Sequence, residues 1–167
     1  MTMNVLVVSV LGKDKPGLLE QLAALISAQG GNWLESSFSR LAGQFAGIVK
    51  VAVEQDGAGL LAALQQLPDL DIRGVIDQES EPQQTQNFAL QLVGHDRIGI
   101  VNDVTAILAR HQVNVEKLTT WLDSAPMSGE MMFHAQAQLS APQQLDLTTV
   151  RHALEGIADD LMVEWGA

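Results

Sequence analysis

Two short segments hold the residues whose types and spacing point to ligand chemistry. Residues 10–19 read Val-Leu-Gly-Lys-Asp-Lys-Pro-Gly-Leu-Leu, and residues 92–101 read Leu-Val-Gly-His-Asp-Arg-Ile-Gly-Ile-Val. At an offset of 82 residues Gly12 matches Gly94, Asp14 matches Asp96 and Gly17 matches Gly99, and a basic residue recurs as Lys15 and Arg97. Asn32 matches Asn114 at the same offset, each fifteen residues after its glycine. Glycine at the exit of a strand allows a tight turn at positive φ, the role expected of Gly12 and Gly94. Glycine at a helix start lets a ligand approach unpaired N–H groups whose partial positive charge suits a carboxylate or phosphate, the role expected of Gly17 and Gly99. Asp14 and Asp96 can cap the helix or accept from an ammonium group. Asn32 and Asn114 open the second strand, expected beside the first, and an amide both donates and accepts. Together these groups match a free α-amino acid. Taken singly, each aspartate reads most simply as a cap and each asparagine as turn chemistry. The recurrence of the whole set in register favours a ligand.

The elements that must carry these residues also come twice. Residues 4–11 are rich in Val and Leu and read as a buried strand. Leu18, Leu22, Leu25 and Ile26 recur at three- and four-residue steps within an amphipathic helix over 17–29, with Pro16 at its start and Gly30-Gly31 at its end. Strands are predicted over 32–41 and 45–54 around Leu41-Ala42-Gly43-Gln44, then a helix over 58–67 and a strand over 70–77. The second half repeats the order. A strand over 87–94 precedes a helix over 99–111 with Ile100, Val104, Ile107 and Leu108 inward. Strands over 114–123 and 130–139 flank a longer loop, Ser124 to Gly129, and a helix within 143–157 and a strand near 161–165 complete the copy. The βαββαβ order predicts an α+β chain of two ferredoxin-like domains, each a four-stranded antiparallel sheet with two helices on one face. The other face or an edge is left to a partner. The polar stretch from Gln78 to Gln86 reads as a linker, giving domains over 1–80 and 87–167 with the linker at 81–86.

The remaining residues narrow the chemistry. His95, His111, His134 and His152 share no ligand spacing. Ser36, Ser37 and Ser39 have no histidine motif or nucleophile elbow near them, and the chain carries no phosphate loop and no Gly-x-Gly-x-x-Gly. An acyl-phosphate hydrolase on this topology would need an arginine in its phosphate-cradling loop, where only Lys13, Lys15 and Arg97 stand. Met131-Met132-Phe133 reads as core, Asp159-Asp160 as a solvated turn, His134 as half-buried or solvated, and Trp33 and Trp121 as residues able to cover a sheet face. The 167 residues include 20 Asp and Glu against 9 Lys and Arg, for a net charge of −11. Both halves are acidic, at −4 and −7, so neither offers the basic face that a phosphate backbone requires. Absence of cysteine excludes disulfides and thiol chemistry, and seven aromatic residues are too few for a base-stacking platform. Met1-Thr2-Met3-Asn4 lacks a basic targeting region, and no apolar run approaches the ~20 residues that span a bilayer. A soluble cytoplasmic protein is the expectation.

Gly12-x-Asp14-Lys15-Pro16-Gly17-Leu18-Leu19 with Asn32 resembles the signature of the ACT domain, a small regulatory amino-acid-binding module. Gly94-x-Asp96-Arg97-Ile98-Gly99-Ile100-Val101 with Val113-Asn114-Val115 resembles a second copy, with Ile98 where the pattern usually has proline. Two tandem copies with no enzyme attached resemble the glycine cleavage system transcriptional repressor family, as does the loop from Ala125 to Gly129 followed by Met132-Phe133. The resemblance covers nearly the whole chain. It implies domains that pair side by side or face to face with amino acids bound at the domain interface, and a homo-oligomer. It further implies a non-enzymatic repressor that contacts a LysR-type transcriptional activator, with glycine as signal and without cofactor, metal, membrane or direct nucleic-acid contact. Carried over residue by residue, binding would use the loop at Lys13, Asp14 and Gly17 with Asn32, and at His95, Asp96 and Gly99 with Asn114. The competing reading is a ligand-free ACT interaction scaffold that modulates a protein partner.

Overall fold

The computed structural model describes residues 4–78, 81 and 83–166. Met1, Thr2 and Met3 of the amino terminus, Glu79, Ser80 and Pro82 of the expected linker region, and Ala167 lie outside the described residues. The element order is β1 (Asn4–Lys13), α1 (Leu18–Ala28), β2 (Asn32–Leu41), β3 (Gln44–Val53), α2 (Ala58–Gln65), β4 (Asp71–Gln78), β5 (Thr85–His95), α3 (Ile100–Arg110), β6 (Asn114–Ser124), β7 (Met131–Pro142), α4 (Leu147–Glu155) and β8 (Met162–Gly166). Backbone contacts group the chain into two units, 1–81 and 82–167. Each is βαββαβ, the ferredoxin-like layout expected. Strand β5 starts at Thr85, two residues before the strand predicted there.

The first unit is a four-stranded antiparallel sheet in the order β2-β3-β1-β4, and the second is its repeat, β6-β7-β5-β8. Strand β3 therefore lies between β1 and β2, so the second strand is not beside the first as expected. Two crossover helices feed one face of each sheet. Leu18, Leu22 and Ile26 of α1 and Leu60 and Leu64 of α2 pack on Leu6, Val8, Val10, Val49, Val51 and Ile72. Ile100, Val104 and Leu108 of α3 and Val150 and Leu154 of α4 pack on Phe88, Leu90, Leu92, Ala135, Leu139 and Val163. Leu25 and Ile107, counted inward from the periodicity, are only partly buried. Edge strands β2 and β6 each carry a bulge at the same place, after Trp33 and after Val115. Each bulge inserts one residue, Leu34 or Glu116, so the alternation of faces shifts beyond it.

Two local readings change in the structure. Gly12 and Gly94 do not adopt positive φ. A Cβ on Gly12 would stand 2.5 Å from the Asp69 carbonyl oxygen, and one on Gly94 2.8 Å from Leu161 Cδ1. Close approach of the turn before the last strand is what requires glycine there. Of Met131-Met132-Phe133, only Phe133 is core, and Met131 is exposed.

The C-terminal turn of the first helix also differs between units. Gly30 ends α1 at φ 77°, and its counterpart after α3 is Gln112 at φ 60°. A side chain in the left-handed region costs about 1–2 kcal/mol, offset by the lower chain entropy of a non-glycine residue. Gln112→Gly is expected to raise the stability of the second unit by about 0.5–1 kcal/mol, read from the midpoint of urea unfolding.

Candidate functional site

The repeated loop takes the same backbone path in both units. Gly17 and Gly99 precede α1 and α3 at φ 90° and 87°, and a Cβ on either would meet nothing within 4 Å. Their role is the left-handed turn itself, which few other residues adopt without strain. Neither helix has a side-chain cap, so Asp14 and Asp96 do not cap. Their backbone N–H groups instead tie the loop to the neighbouring hairpin, Asp14 donating to the Gly43 carbonyl at 2.9 Å and Asp96 to that of Met131 at 3.0 Å.

Ion pairs hold the loops differently in the two units. Lys15 pairs with Asp69 in the turn before β4, and Arg40 of β2 reaches Asp14 at 3.3 Å. In the second unit Arg97 turns instead to Asp103 in the first turn of α3, at 2.6 Å. His95 is the central contact. Its backbone N–H donates to Asp160 at 2.7 Å, its Nδ1 also faces Asp160, and its Nε2 faces Glu130 at 2.7 Å. Asp160 is thus part of a clamp and not simply a solvated turn. Both ring nitrogens face carboxylates, which only accept, so the doubly protonated ring satisfies the arrangement fully. Hydrogen bonds to Glu130 and then Asp160 raise the His95 pKa above 6.5, and the bonds from the His95 backbone and ring lower that of Asp160.

The asparagines stand elsewhere. Asn32 lies opposite Ala52, which pairs with Val5 of β1, eight residues from Lys13 along that strand. At ~3.3 Å per residue the loop and the asparagine are about 26 Å apart, at opposite ends of the sheet. Asn114, opposite Ser140, is related to His95 in the same way. The Asn114 amide donates to Glu116 at 2.9 Å, and the Ser140 hydroxyl donates to the same carboxylate. These two donors, Ser140 first, hold Glu116 below the usual carboxylate range. Lys13, Asp14 and Gly17 therefore come together without Asn32, and His95, Asp96 and Gly99 without Asn114.

What the second loop does meet is the outer part of β6. An open cavity of about 410 Å3 is lined by Asp96, Arg97, Gly99, Asn102, Thr120 and Leu122, with Val101 and Phe133 among its apolar walls. Arg97 is engaged by Asp103, whereas the Asp96 carboxylate has no hydrogen-bond or ion-pair partner among the described residues. Thr120 and Leu122 were not legible as site residues, because pairing of β6 with β7 beyond the bulge at Glu116 brings them to the loop, where Asn102 of α3 and Phe133 of β7, opposite Gly94, also stand. Trp121 stacks on His134 at 5.2 Å and 4°.

A model of the ACT domain matches residues 4–72 and again 86–166. The glycine cleavage system transcriptional repressor of Escherichia coli (strain K12) is 21% identical over 161 residues, covering 93% of this chain and 85% of that protein. The crystal structure of an unknown protein from Galdieria sulphuraria superposes with a TM-score of 0.86 at 28% identity, over 98% of each chain. A second solved structure, provisionally described as a glycine cleavage system transcriptional repressor, gives a TM-score of 0.69 at 16% identity over 99% of this chain and 98% of that one.

The His95 clamp has a defined pH dependence. With its folded pKa raised, His95 contributes stability that is complete below its unfolded value near 6.5 and is lost as pH rises through the folded value. The melting temperature should fall as pH rises through that window, and His95→Gln should flatten the profile there, as followed by circular dichroism.

Proposed function

The chain belongs to the ACT domain family, with one copy in each half, and on that premise we propose that it is a non-enzymatic regulator that binds a free amino acid and acts on a protein partner. The observation that supports it most is the loop made twice, with Gly17 and Gly99 in one left-handed conformation before uncapped helices. Such a turn presents first-turn N–H groups to a carboxylate, and an aspartate two or three residues upstream can receive an ammonium group. The asparagines at the far end of each sheet belong to a different part of the surface.

The relatives named as glycine cleavage system repressors support a specific form of this reading. The protein would control transcription of that system in the cytoplasm, by contact with a LysR-type activator and as a homo-oligomer. A net charge of −11 favours protein contact over contact with an operator, whose phosphates it repels. No helix of the described residues is long and apolar enough to cross a membrane. Regulation requires the ligand to bind one state of the protein better than another, since equal affinity shifts nothing.

Isothermal titration of the full chain with the twenty amino acids is the test. Saturable heat for one of them, with affinity for a purified activator that changes in its presence, is the expected result. No heat from any of them would remove the ligand, and would leave a scaffold whose partner contact is indifferent to amino acids.

A further inference from the structure

Comparison of the two units at the offset of 82 residues shows what the cavity lacks. The counterpart of Thr120 is Phe38, that of Leu122 is Arg40, and Phe133 corresponds by register to Phe45, since each faces the glycine that begins its loop. In the first unit Phe38 stacks on Phe45 at 5.3 Å and 9°, and Trp33 leans on its other side at 5.9 Å. Arg40 reaches the Asp14 carboxylate. The first unit thus fills this place with its own side chains, an aromatic ring on a phenylalanine and a cation on an aspartate. In the second unit the ring is replaced by a threonine and the cation by a leucine. Ala135 stands where Gly47 makes room for the Phe38 ring, Phe133 forms a buried wall of the cavity, and the Asp96 carboxylate has no hydrogen-bond or ion-pair partner among the described residues.

Resting on the amino-acid reading above, we propose that only the second unit binds the ligand in this way, and that the ligand is an amino acid with a large apolar side chain, not glycine. Its side chain lies in the cavity against the exposed Leu122 and Val101. Its ammonium group meets Asp96 as Arg40 meets Asp14. Its carboxylate lies toward the first turn of α3, beside Asn102 and the Thr120 hydroxyl. Glycine has the two charged groups but nothing to cover Leu122 and Val101, both exposed in the cavity wall. A cavity of about 410 Å3 falls within the range of small-molecule sites, and its mixed lining suits a ligand with one apolar end and one charged end. The first unit then serves as structure, its loop held by Lys15–Asp69 and Arg40–Asp14.

The test is titration of the full chain with phenylalanine, leucine, methionine, glycine and 3-phenylpropionate, the last lacking the ammonium group. The larger amino acids should bind at one per chain and at least about tenfold more tightly than glycine or 3-phenylpropionate. Thr120→Phe, which puts an aromatic ring into the cavity, should weaken that binding at least about tenfold. Leu122→Arg, which supplies the first unit's cation to Asp96, should do the same without adding bulk at position 120. Far-ultraviolet circular dichroism and melting without ligand identify a variant that has not folded, and the other then decides. Glycine binding as tightly as phenylalanine, or unchanged binding in a folded variant, would overturn the proposal while leaving an amino-acid regulator in place. Silence from phenylalanine, leucine and methionine would overturn the proposal, and silence from all twenty amino acids would overturn the regulator as well.

Discussion

Each unit depends on the burial of one sheet face by two crossover helices. Leu22 and Leu64 are fully enclosed in the first unit, as are Val150 and Leu154 in the second. With about 80 residues a unit has chain for two helices only, and both must lie on the face that holds Leu6, Val8 and Val51, or Leu90 and Leu92. Because the first helix returns along the strand it left, its amino-terminal turn is fixed above the end of β1 or β5. The loop with its left-handed glycine then has one place to be, and the hairpins β2–β3 and β6–β7 are brought against it through the Asp14 and Asp96 amides.

The opposite face of the first sheet carries Val7, Leu11, Ile48 and Val75, all exposed. Val7 and Val75 lie directly across from one another on β1 and β4. The corresponding face of the second sheet is more polar, with Gln91, Gln136 and Gln138 on its central strands and Trp121 stacked on His134. Two copies of one backbone plan thus present different chemistry. Divergence of this kind is in keeping with the proposal that one copy keeps an open place for a ligand and the other closes its own.

That closure comes from few atoms. Phe38 and Arg40 lie two residues apart on one edge strand, on the face that looks toward the helices. Thr120 and Leu122 stand at the matching positions, Ala135 replaces the Gly47 on which the Phe38 ring lies, and the cavity opens beside them. The His95 clamp works on the same loop from another side, joining the end of β5 to the turn before β8 and to the start of β7. Its groups are half exposed, so screening by water keeps its contribution to stability small. Its effect is on the position of the loop that borders the cavity.

The sequence by itself determined the duplication, the βαββαβ order, the inward faces of the helices and the loop glycines, because these rest on local periodicity and on residue types a backbone conformation demands. Gly17 and Gly99 were legible as glycines of the helix start, but through ligand approach and not through the left-handed turn that the structure gives them at φ 90° and 87°. Gly12 and Gly94 were legible as necessary but not for the right cause, since the carbonyl of Asp69 and the side chain of Leu161 approach from some sixty residues away. Tertiary structure alone decided that β3 separates β1 from β2. The return of α1 and α3 along the strands they follow puts Asn32 and Asn114 at the far end of the sheet, and the pairing of β6 with β7 brings Thr120 and Leu122 to the loop. Strand order is set by pairing between distant segments, and the spacing of residues along a chain carries no record of which strand stands between two others.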